Sequence, residues 1–496
     1  MHHALIFNVH NLALRRPSGG YRIASFLREH DWDVEVVDYL ESWQLDELKE
    51  FVRSRVNNNT VFFGFSCFFY NWHNHLNDLI DWTKKEYPHI KMVVGGQSKK
   101  IMQTKNIDYY VQGYGEYAIL ELVKSIIGNT SKGLNFDPLY FGSKRVITAN
   151  HSYPAFPLKS LRIKYEDRDD LQPWEWLTVE FARGCIFKCP YCNFPVLGVR
   201  EDHTRSAEDF EIEMRENWER WGIKNYYVAD ETFNDYTEKI VKYANVVEKI
   251  NFNPIFSGFI RADLLVARSE DWDPMIKIGF FGHFYGIETM NYQSAKVIGK
   301  GMDPSKLQQG LIDIKKYFSD RGPYRGAMGI VVGLPYETIE SQMKTFKWID
   351  DHWQGEAAHV WPLEIPIDPA EDVLSVLSKE YQKYGYRPSD KMPQQIPQEL
   401  FSFGHSESRI KHINSTLIWE NDNMSYADAC KIADDWNLAV YKREKNVGIS
   451  MFTFGDYSYP DLNLEEMLKI KHLWDWPDNR TGPREREYIE RKLNRK

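Results

Sequence analysis

Two series of short apolar runs alternate with amphipathic stretches along this chain, and few folds accommodate that pattern twice. In the first series, residues 4–9, 34–38, 61–66, 91–96 and 108–112 read as strands. Helical periodicity separates them over 21–29, 45–55 and 73–86, and follows the last over 116–127. Strand–helix alternation of this kind predicts a doubly wound parallel sheet of Rossmann type. The run at 61–66 is nearly all apolar, as expected of a strand covered on both faces. The second series places strands at 176–182, 225–230, 255–261, 280–287, 325–333 and 357–362. Six such units predict a partial (β/α)6 barrel of TIM type, with its chemistry at the carboxyl ends of the strands. A chain of 496 residues is too long for one core. The expected organisation is a Rossmann-like domain over 1–130, a linker over 131–173, the barrel over 174–370 and a mostly helical accessory region over 371–496.

The first barrel strand runs into Arg183-Gly184 and then Cys185-Ile-Phe-Lys-Cys189-Pro-Tyr-Cys192. Three of the five cysteines in the chain therefore fall within eight residues. An odd number on one loop argues against a disulfide. A structural zinc site needs four ligands, and the fourth would have to come from a distant residue such as His203. Three thiolates on one loop instead suit three corners of a [4Fe–4S] cubane, leaving the fourth iron open to an exogenous ligand. The remaining cysteines, Cys67 and Cys430, read as small buried apolar residues.

The three-then-two spacing, with Tyr191 before the last cysteine, resembles the signature of the radical S-adenosylmethionine (SAM) superfamily. The resemblance extends over about residues 174–370. It makes Cys185, Cys189 and Cys192 the cluster ligands and sets Tyr191 beside the SAM adenine. Asp230-Glu231-Thr-Phe resembles the second-strand segment near the methionine end of SAM. Arg261 matches a third-strand arginine, and Gly286-Ile-Glu288 the fourth-strand glutamate motif. Gly333-Leu-Pro-Tyr-Glu-Thr resembles the turn after strand five, with Tyr336 where a second glycine is usual. Carboxylates can accept bonds from the ammonium or ribose of SAM, and a guanidinium can pair with its carboxylate. Structural readings stand beside these: Asp230 and Glu231 as helix caps, and Arg261 as the ion-pair partner of Asp263.

Over residues 1–130 the order of motifs resembles the cobalamin-binding domain that precedes many radical SAM cores. Gly19 and Gly20, Ser66, Gly95 and Gly96, and Gly113, Gly115 and Glu116 fall at the expected strand ends or helix start, where glycine lets a bulky ligand approach. The resemblance makes them cobalamin contacts. His10 stands where some such domains carry a cobalt-ligating histidine, but the aspartate and glycine that accompany it there are missing. The expectation is cobalamin without a histidine ligand; a vestigial domain holding no cofactor is the other reading.

What the resemblance implies is reductive cleavage of SAM at a [4Fe–4S] cluster to a 5′-deoxyadenosyl radical. With cobalamin the expected reaction is methyl transfer to a substrate that the sequence does not name. The alternatives are a cobalamin-independent rearrangement, cyclisation or oxidation, and, from another class, a non-catalytic iron–sulfur or zinc protein. An electron donor such as flavodoxin or ferredoxin is an expected partner. No catalytic acid or base is legible.

Net charge is −9, from 62 basic and 71 acidic residues, which argues against a broad nucleic-acid groove. No apolar run approaches membrane-spanning length, and residues 1–7 lack a signal-peptide pattern, so a cytoplasmic location is expected. The basic run at 484–496 reads as a solvated helix end. Residues 370–384 read as a helix, and residues 425–436 as an amphipathic helix capped by Ser425. Trp353, Trp361, Trp419, Trp436, Trp474 and Trp476 make the region around them aromatic-rich, for packing or as a lid.

Overall fold

A computed structural model of the chain describes residues 1–9, 15–67, 74–96, 105–128, 145–148, 162–193, 203–353, 357–369, 374–397, 400, 415–443 and 483–495. The first sheet holds β1 (His2–Asn8), β3 (Trp32–Val37), β4 (Thr60–Ser66), β5 (Lys91–Gly96), β6 (Tyr109–Gln112) and β7 (Arg145–Thr148). Their order is β3-β1-β4-β5-β6-β7, all parallel. Ala4 and Ile6 of β1 face one apolar cluster, and Leu5 and Phe7 face another. That two-sided burial is why these strands read as continuous apolar runs. Four helices cover the faces: α1 (Ser18–Arg28), α2 (Leu45–Arg55), α3 (Asn74–Glu86) and α4 (Glu116–Ile127). The strand order reverses between β1 and β4, the position where doubly wound sheets bind ligands.

The second sheet is built on β8 (Trp176–Val179), β11 (Asn225–Val228), β12 (Ile255–Ile260), β13 (Phe280–Glu288), β14 (Arg325–Val332) and β15 (Ala357–Pro362). These six parallel strands agree with the six-unit barrel to within a few residues. The expected first strand is broken: after β8 the chain forms a separate pair of β9 (Ala182–Arg183) with β10 (His203–Thr204). Outside the strands, Phe181 is ringed by Phe210, Phe233, Tyr243 and Phe256, with centroids 4.4–5.5 Å away. A last antiparallel pair joins β16 (Arg387–Pro388) to β17 (Trp419–Glu420).

The accessory region packs onto the barrel. Trp419 is buried and donates to Leu363 O at 2.8 Å, and Trp436 stacks on Phe346 at 4.3 Å. Ser425 caps a helix over Tyr426–Arg443, longer than expected. The helix expected over 370–384 is instead a single turn, Val376–Lys379, and a 3-10 turn, Tyr381–Tyr384, ended by Gly385 at φ 87°. Trp474 and Trp476 lie outside the described residues, as does His10. Cys67 and Cys430 are buried, as their apolar surroundings suggested.

The joints between the sheets were not legible. β2 (Arg15–Arg16) leaves the first domain and pairs in parallel with β8, becoming the seventh strand of the barrel sheet. The segment read as a linker holds two packed pieces. One is β7, and the other is residues 162–173, whose Ile163, Tyr165 and Leu171 are buried. The C-terminal run is not a solvated end. Its helix, Pro483–Asn494, buries Tyr488 and Ile489 against Phe51 and Val52. Lys492 is 1% exposed; its ammonium meets Glu35 Oε1 at 2.9 Å and donates to Val36 O and Arg168 O. Burial alone would push the Glu35 carboxyl up; Lys492 and Arg55 more than offset this and hold it below its usual range. Three basic residues of this run thus meet carboxylates elsewhere: Lys492 pairs with Glu35 and Arg486 with Glu47 of the first domain, and Arg491 with Asp170 of the 162–173 segment.

Two stability measurements check this arrangement. Lys492→Ala leaves a buried carboxylate with one cation fewer and should cost about 3 kcal/mol in urea unfolding. His283 is fully buried between Tyr285 Oη and Phe280 O, and burial lowers its pKa to about 3. Between about pH 6.5 and 3 the unfolded chain takes up a proton that the folded one refuses. Stability should therefore fall with pH in that window, by about 1.4 kcal/mol per unit. His283→Gln should flatten that limb when unfolding is followed from pH 7 to pH 4.

Candidate functional site

The cysteine loop closes over the carboxyl ends of the barrel strands, and successive strands each hold a piece of it. Cys185 Sγ lies 3.9 Å from Thr232 Oγ1, just beyond β11. Arg261, just beyond β12, points Nη1 at Cys189 Sγ, 3.8 Å away, and lies over the Phe187 ring at 4.0 Å. Tyr191 Oη donates to Glu288 Oε1, at the end of β13, at 3.1 Å. From the accessory region, Leu377 N donates to Pro190 O at 2.8 Å. Within the loop, Cys192 N donates to Cys189 O at 3.0 Å. All three thiols are half-buried, and burial raises the Cys185 pKa.

Among the described residues, no three His, Cys, Asp or Glu side chains converge on a single metal-ion position. A zinc site needs such convergence, whereas a cubane takes one thiolate at each of three separate irons. The donor set, three soft and partly accessible sulfurs on one braced loop, fits a [4Fe–4S] cluster.

The remaining barrel residues have structural partners. Asp230 is buried, and its Oδ1 accepts from Phe181 N and Ala182 N at 2.8 and 3.1 Å. Burial raises its pKa to about 8, with Lys239 only partly offsetting it. Neither Asp230 nor Glu231 caps the next helix, which begins at Thr237. Glu231 is also raised by burial, to about 7, and receives Tyr114 Oη at 3.4 Å. Arg261 pairs with Asp263 at 2.8 Å and donates to Gly299 O at 2.7 Å. Glu288 sits at a bulge with φ 63°, a left-handed conformation that favours glycine, and meets Lys300 at 3.0 Å. Lys300 was missed in the sequence; its only marker is the place of Gly299-Lys-Gly301 beyond the fourth strand. Gly333 has φ 94°, and a Cβ there would come within 2.4 Å of Trp419. Packing and backbone conformation account for this glycine. Tyr336 takes the left-handed φ of 64° where a glycine was expected, so the turn survives the substitution.

In the first domain, Gly19 and Gly20 serve close packing. A Cβ on Gly19 would meet Ser66 Oγ at 2.6 Å, and one on Gly20 would meet Asn8 Oδ1 at 2.4 Å. Gly113 turns the chain at φ 90°, and Gly115 precedes α4. At the end of β5, a Cβ on Gly95 would meet, among the described residues, nothing nearer than Val111 O at 3.8 Å, and Gly96 is half-buried. A glycine pair at a strand end, beside the β1/β4 switch, lets a bulky cofactor approach the backbone.

The two sheets meet at these ends. Glu116 is buried and pairs with Arg183 at 2.7 Å, immediately before the cysteine loop. Arg183 also binds Glu180 at 2.7 Å and lies over the Tyr114 ring at 4.1 Å. Glu180 pairs with Arg22 at 2.8 Å. Burial alone would raise the Glu180 pKa, but Arg183 and Arg22 hold it at about 2. The turn expected to touch cobalamin thus grips the strand that carries the cluster ligands.

Comparison with known proteins agrees with this geometry. The family model of the radical SAM superfamily matches residues 179–349, and that of the B12 binding domain matches residues 17–123. The chain thus carries a radical SAM domain with a B12 binding domain ahead of it. Its fold is, more particularly, one shared with solved cobalamin-dependent radical SAM enzymes. The radical SAM methyltransferase TsrM from Kitasatospora setae, solved with cobalamin and a [4Fe–4S] cluster, superposes with a TM-score of 0.62 at 14% identity. The match covers 95% of this chain and 99% of that one. The cobalamin-dependent SAM radical enzyme OxsB gives 0.58 at 15% identity, over 99% of this chain and 80% of that one. At such identities the likeness is one of fold. A comparison with curated proteins returns no match. Among the described residues, no helix is long and apolar enough to cross a membrane.

The brace on the cysteine strand can be tested through stability. Asp230→Asn keeps an acceptor for the amides of Phe181 and Ala182 and should change unfolding free energy by less than about 1 kcal/mol. Asp230→Ala strips two buried N–H groups of their acceptor and should cost about 3 kcal/mol.

Proposed function

We propose that this protein is a cobalamin-dependent radical SAM methyltransferase. The observation that carries the reading is the junction of the two sheets at their carboxyl ends, where Glu116 and Tyr114 of the first domain touch Arg183 and Glu231 of the barrel. Such a junction brings the two cofactor faces to one space. When bound, the [4Fe–4S] cluster and SAM supply radical chemistry and cobalamin a transferable methyl group.

The chain's own residues hold and orient. Cys185, Cys189 and Cys192 would ligate three irons. Arg261 places positive charge beside Cys189. Tyr191, Glu288 and Lys300 form one hydrogen-bonded set at the barrel mouth, suited to the polar groups of SAM. In this reading Asp230 and Gly333 act through backbone shape, and Glu231 stands nearest the first domain. The end of β5 at Gly95 and Gly96, with Gly113 and Gly115, would receive cobalamin. The TsrM structure was solved with a tryptophan substrate; nothing at that level of identity transfers the substrate itself.

Anaerobic reconstitution should give about four irons per chain, and the Cys185→Ala, Cys189→Ala, Cys192→Ala triple variant should lose the cluster absorbance. With hydroxocobalamin added, cobalt should co-elute near stoichiometrically. Gly95→Leu should lose the cobalt and keep the iron. Loaded protein should form S-adenosylhomocysteine from SAM, and cobalamin-free protein should not. Release of 5′-deoxyadenosine alone would instead mark a cobalamin-independent reaction.

A further inference from the structure

One ring in the barrel is exposed where its position calls for burial. Strands inside a parallel sheet are covered on both faces. β12 lies between β11 and β13, and Phe256, Ser257, Gly258 and Ile260 are all buried, yet Phe259 is 40% exposed. Side chains alternate along a strand, so Phe259 shares a face with Arg261. Arg261 reaches the cysteine loop. Phe259 therefore looks into the barrel lumen, about 7 Å down the strand from Arg261.

Other rings meet it there. Phe284 stands edge-on to Phe259 at 5.2 Å, and Tyr227 at 6.4 Å. A Cβ on Gly329 would come within 3.2 Å of Trp361 and 3.3 Å of Phe284, so Trp361 approaches the same wall and needs glycine beside it. Arg15, delivered by β2 from the first domain, lies 3.7 Å over the Tyr227 ring. Among the described residues it has no carboxylate partner; burial lowers its pKa and Tyr227 alone offsets this. Beyond the hydrogen bond to the Tyr227 side chain, the guanidinium has further in-plane N–H groups for an acceptor, and a carboxylate matches their fork. Rings set edge-to-face leave flat walls that suit another ring.

We propose that this lumen is the substrate pocket and that it takes a planar aromatic carboxylate, its ring against Phe259 and Phe284 and its carboxylate on Arg15. The proposal deepens the reading of the barrel mouth as the reaction site and rests on it. Its test reads binding, so a failure of methyl transfer would leave it standing or falling by itself.

The probes are 2-naphthoate and its neutral counterpart 2-naphthamide, titrated calorimetrically into cluster-loaded protein with SAM present. Naphthoate should bind at least tenfold more tightly than the amide. Arg15→Gln should erase that preference, with Arg15→Lys retaining part of it. Phe259→Ala should weaken both probes about tenfold, and Phe259→Tyr should restore them to within about threefold. Each variant is accepted only with an unfolding midpoint near that of the parent. As a measurement free of variants, a crystal of the parent protein soaked in 6-bromo-2-naphthoate should show bromine anomalous signal beside Phe259. Equal affinity for acid and amide, or naphthoate affinity unchanged in Arg15→Gln, would overturn the anionic part. Bromine found only elsewhere, or no binding of either probe, would overturn the pocket.

Discussion

One buried guanidinium joins the segments from which the two sheets of this molecule are set against each other. Arg16 is fully buried, and its Nε and Nη2 meet Glu175 at 2.8 and 3.0 Å. Its Nη1 meets Asp38 at 2.6 Å and Tyr21 Oη at 2.9 Å, and Asp169 O and Asp170 O accept the remaining donors. Tyr39 and Tyr488 place their rings against it at 5.1 and 4.8 Å. Tyr39 Oη donates in turn to Glu175 at 2.5 Å, and Asn8 donates to Asp38 at 2.6 Å. One side chain thus ties together β2, the end of β3, the 162–173 segment, the start of β8 and the C-terminal helix. Such a network adds little net stability, because each charge must first be stripped of water. Its contribution is geometric: a planar fork with five donors is satisfied by one arrangement of these segments and by few others.

The second charge chain, Arg22–Glu180–Arg183–Glu116, continues the same joint toward the chemistry. Its Arg183 lies two residues before Cys185. The first domain therefore does more than sit beside the barrel. Through Arg183 it sets the direction in which the cysteine loop departs, and through Arg15 it completes the lumen wall. The proposed reaction depends on holding the reacting groups within about an ångström of their productive positions. Joining the two cofactor faces by buried, multiply bonded ions is a way to keep those positions fixed.

The strands, the alternation and the cysteine loop were legible because each follows from local chemistry: period, apolar run, spacing. What was not legible depends on partners far away. Arg15 and Arg16 form a strand of two residues, too short to carry any period. The helix at 483–494 shows charges that look solvated until the carboxylates of β3 and α2 are set opposite them. Asp230 and Arg261 illustrate a different limit. A carboxylate at a strand end can bind a ligand or brace a backbone, and the residue type is the same in both cases. Phe259 reads as core in any strand pattern; only the folded sheet shows which face it is on.

The docking of the last helix has a consequence for how the molecule is made. Tyr488 and Ile489 complete the apolar layer that β1, β4 and α2 begin, and Arg55 bonds a carbonyl 437 residues further along. During synthesis the first sheet leaves the ribosome early, with one flank uncovered. At about 5–20 residues per second it would wait on the order of tens of seconds for its final helix. This sheet emerges before the barrel yet is completed after it, and nascent chains stalled anywhere in the barrel would display the same sticky flank. A holding chaperone that recognises exposed aliphatic and aromatic surface would find its target there.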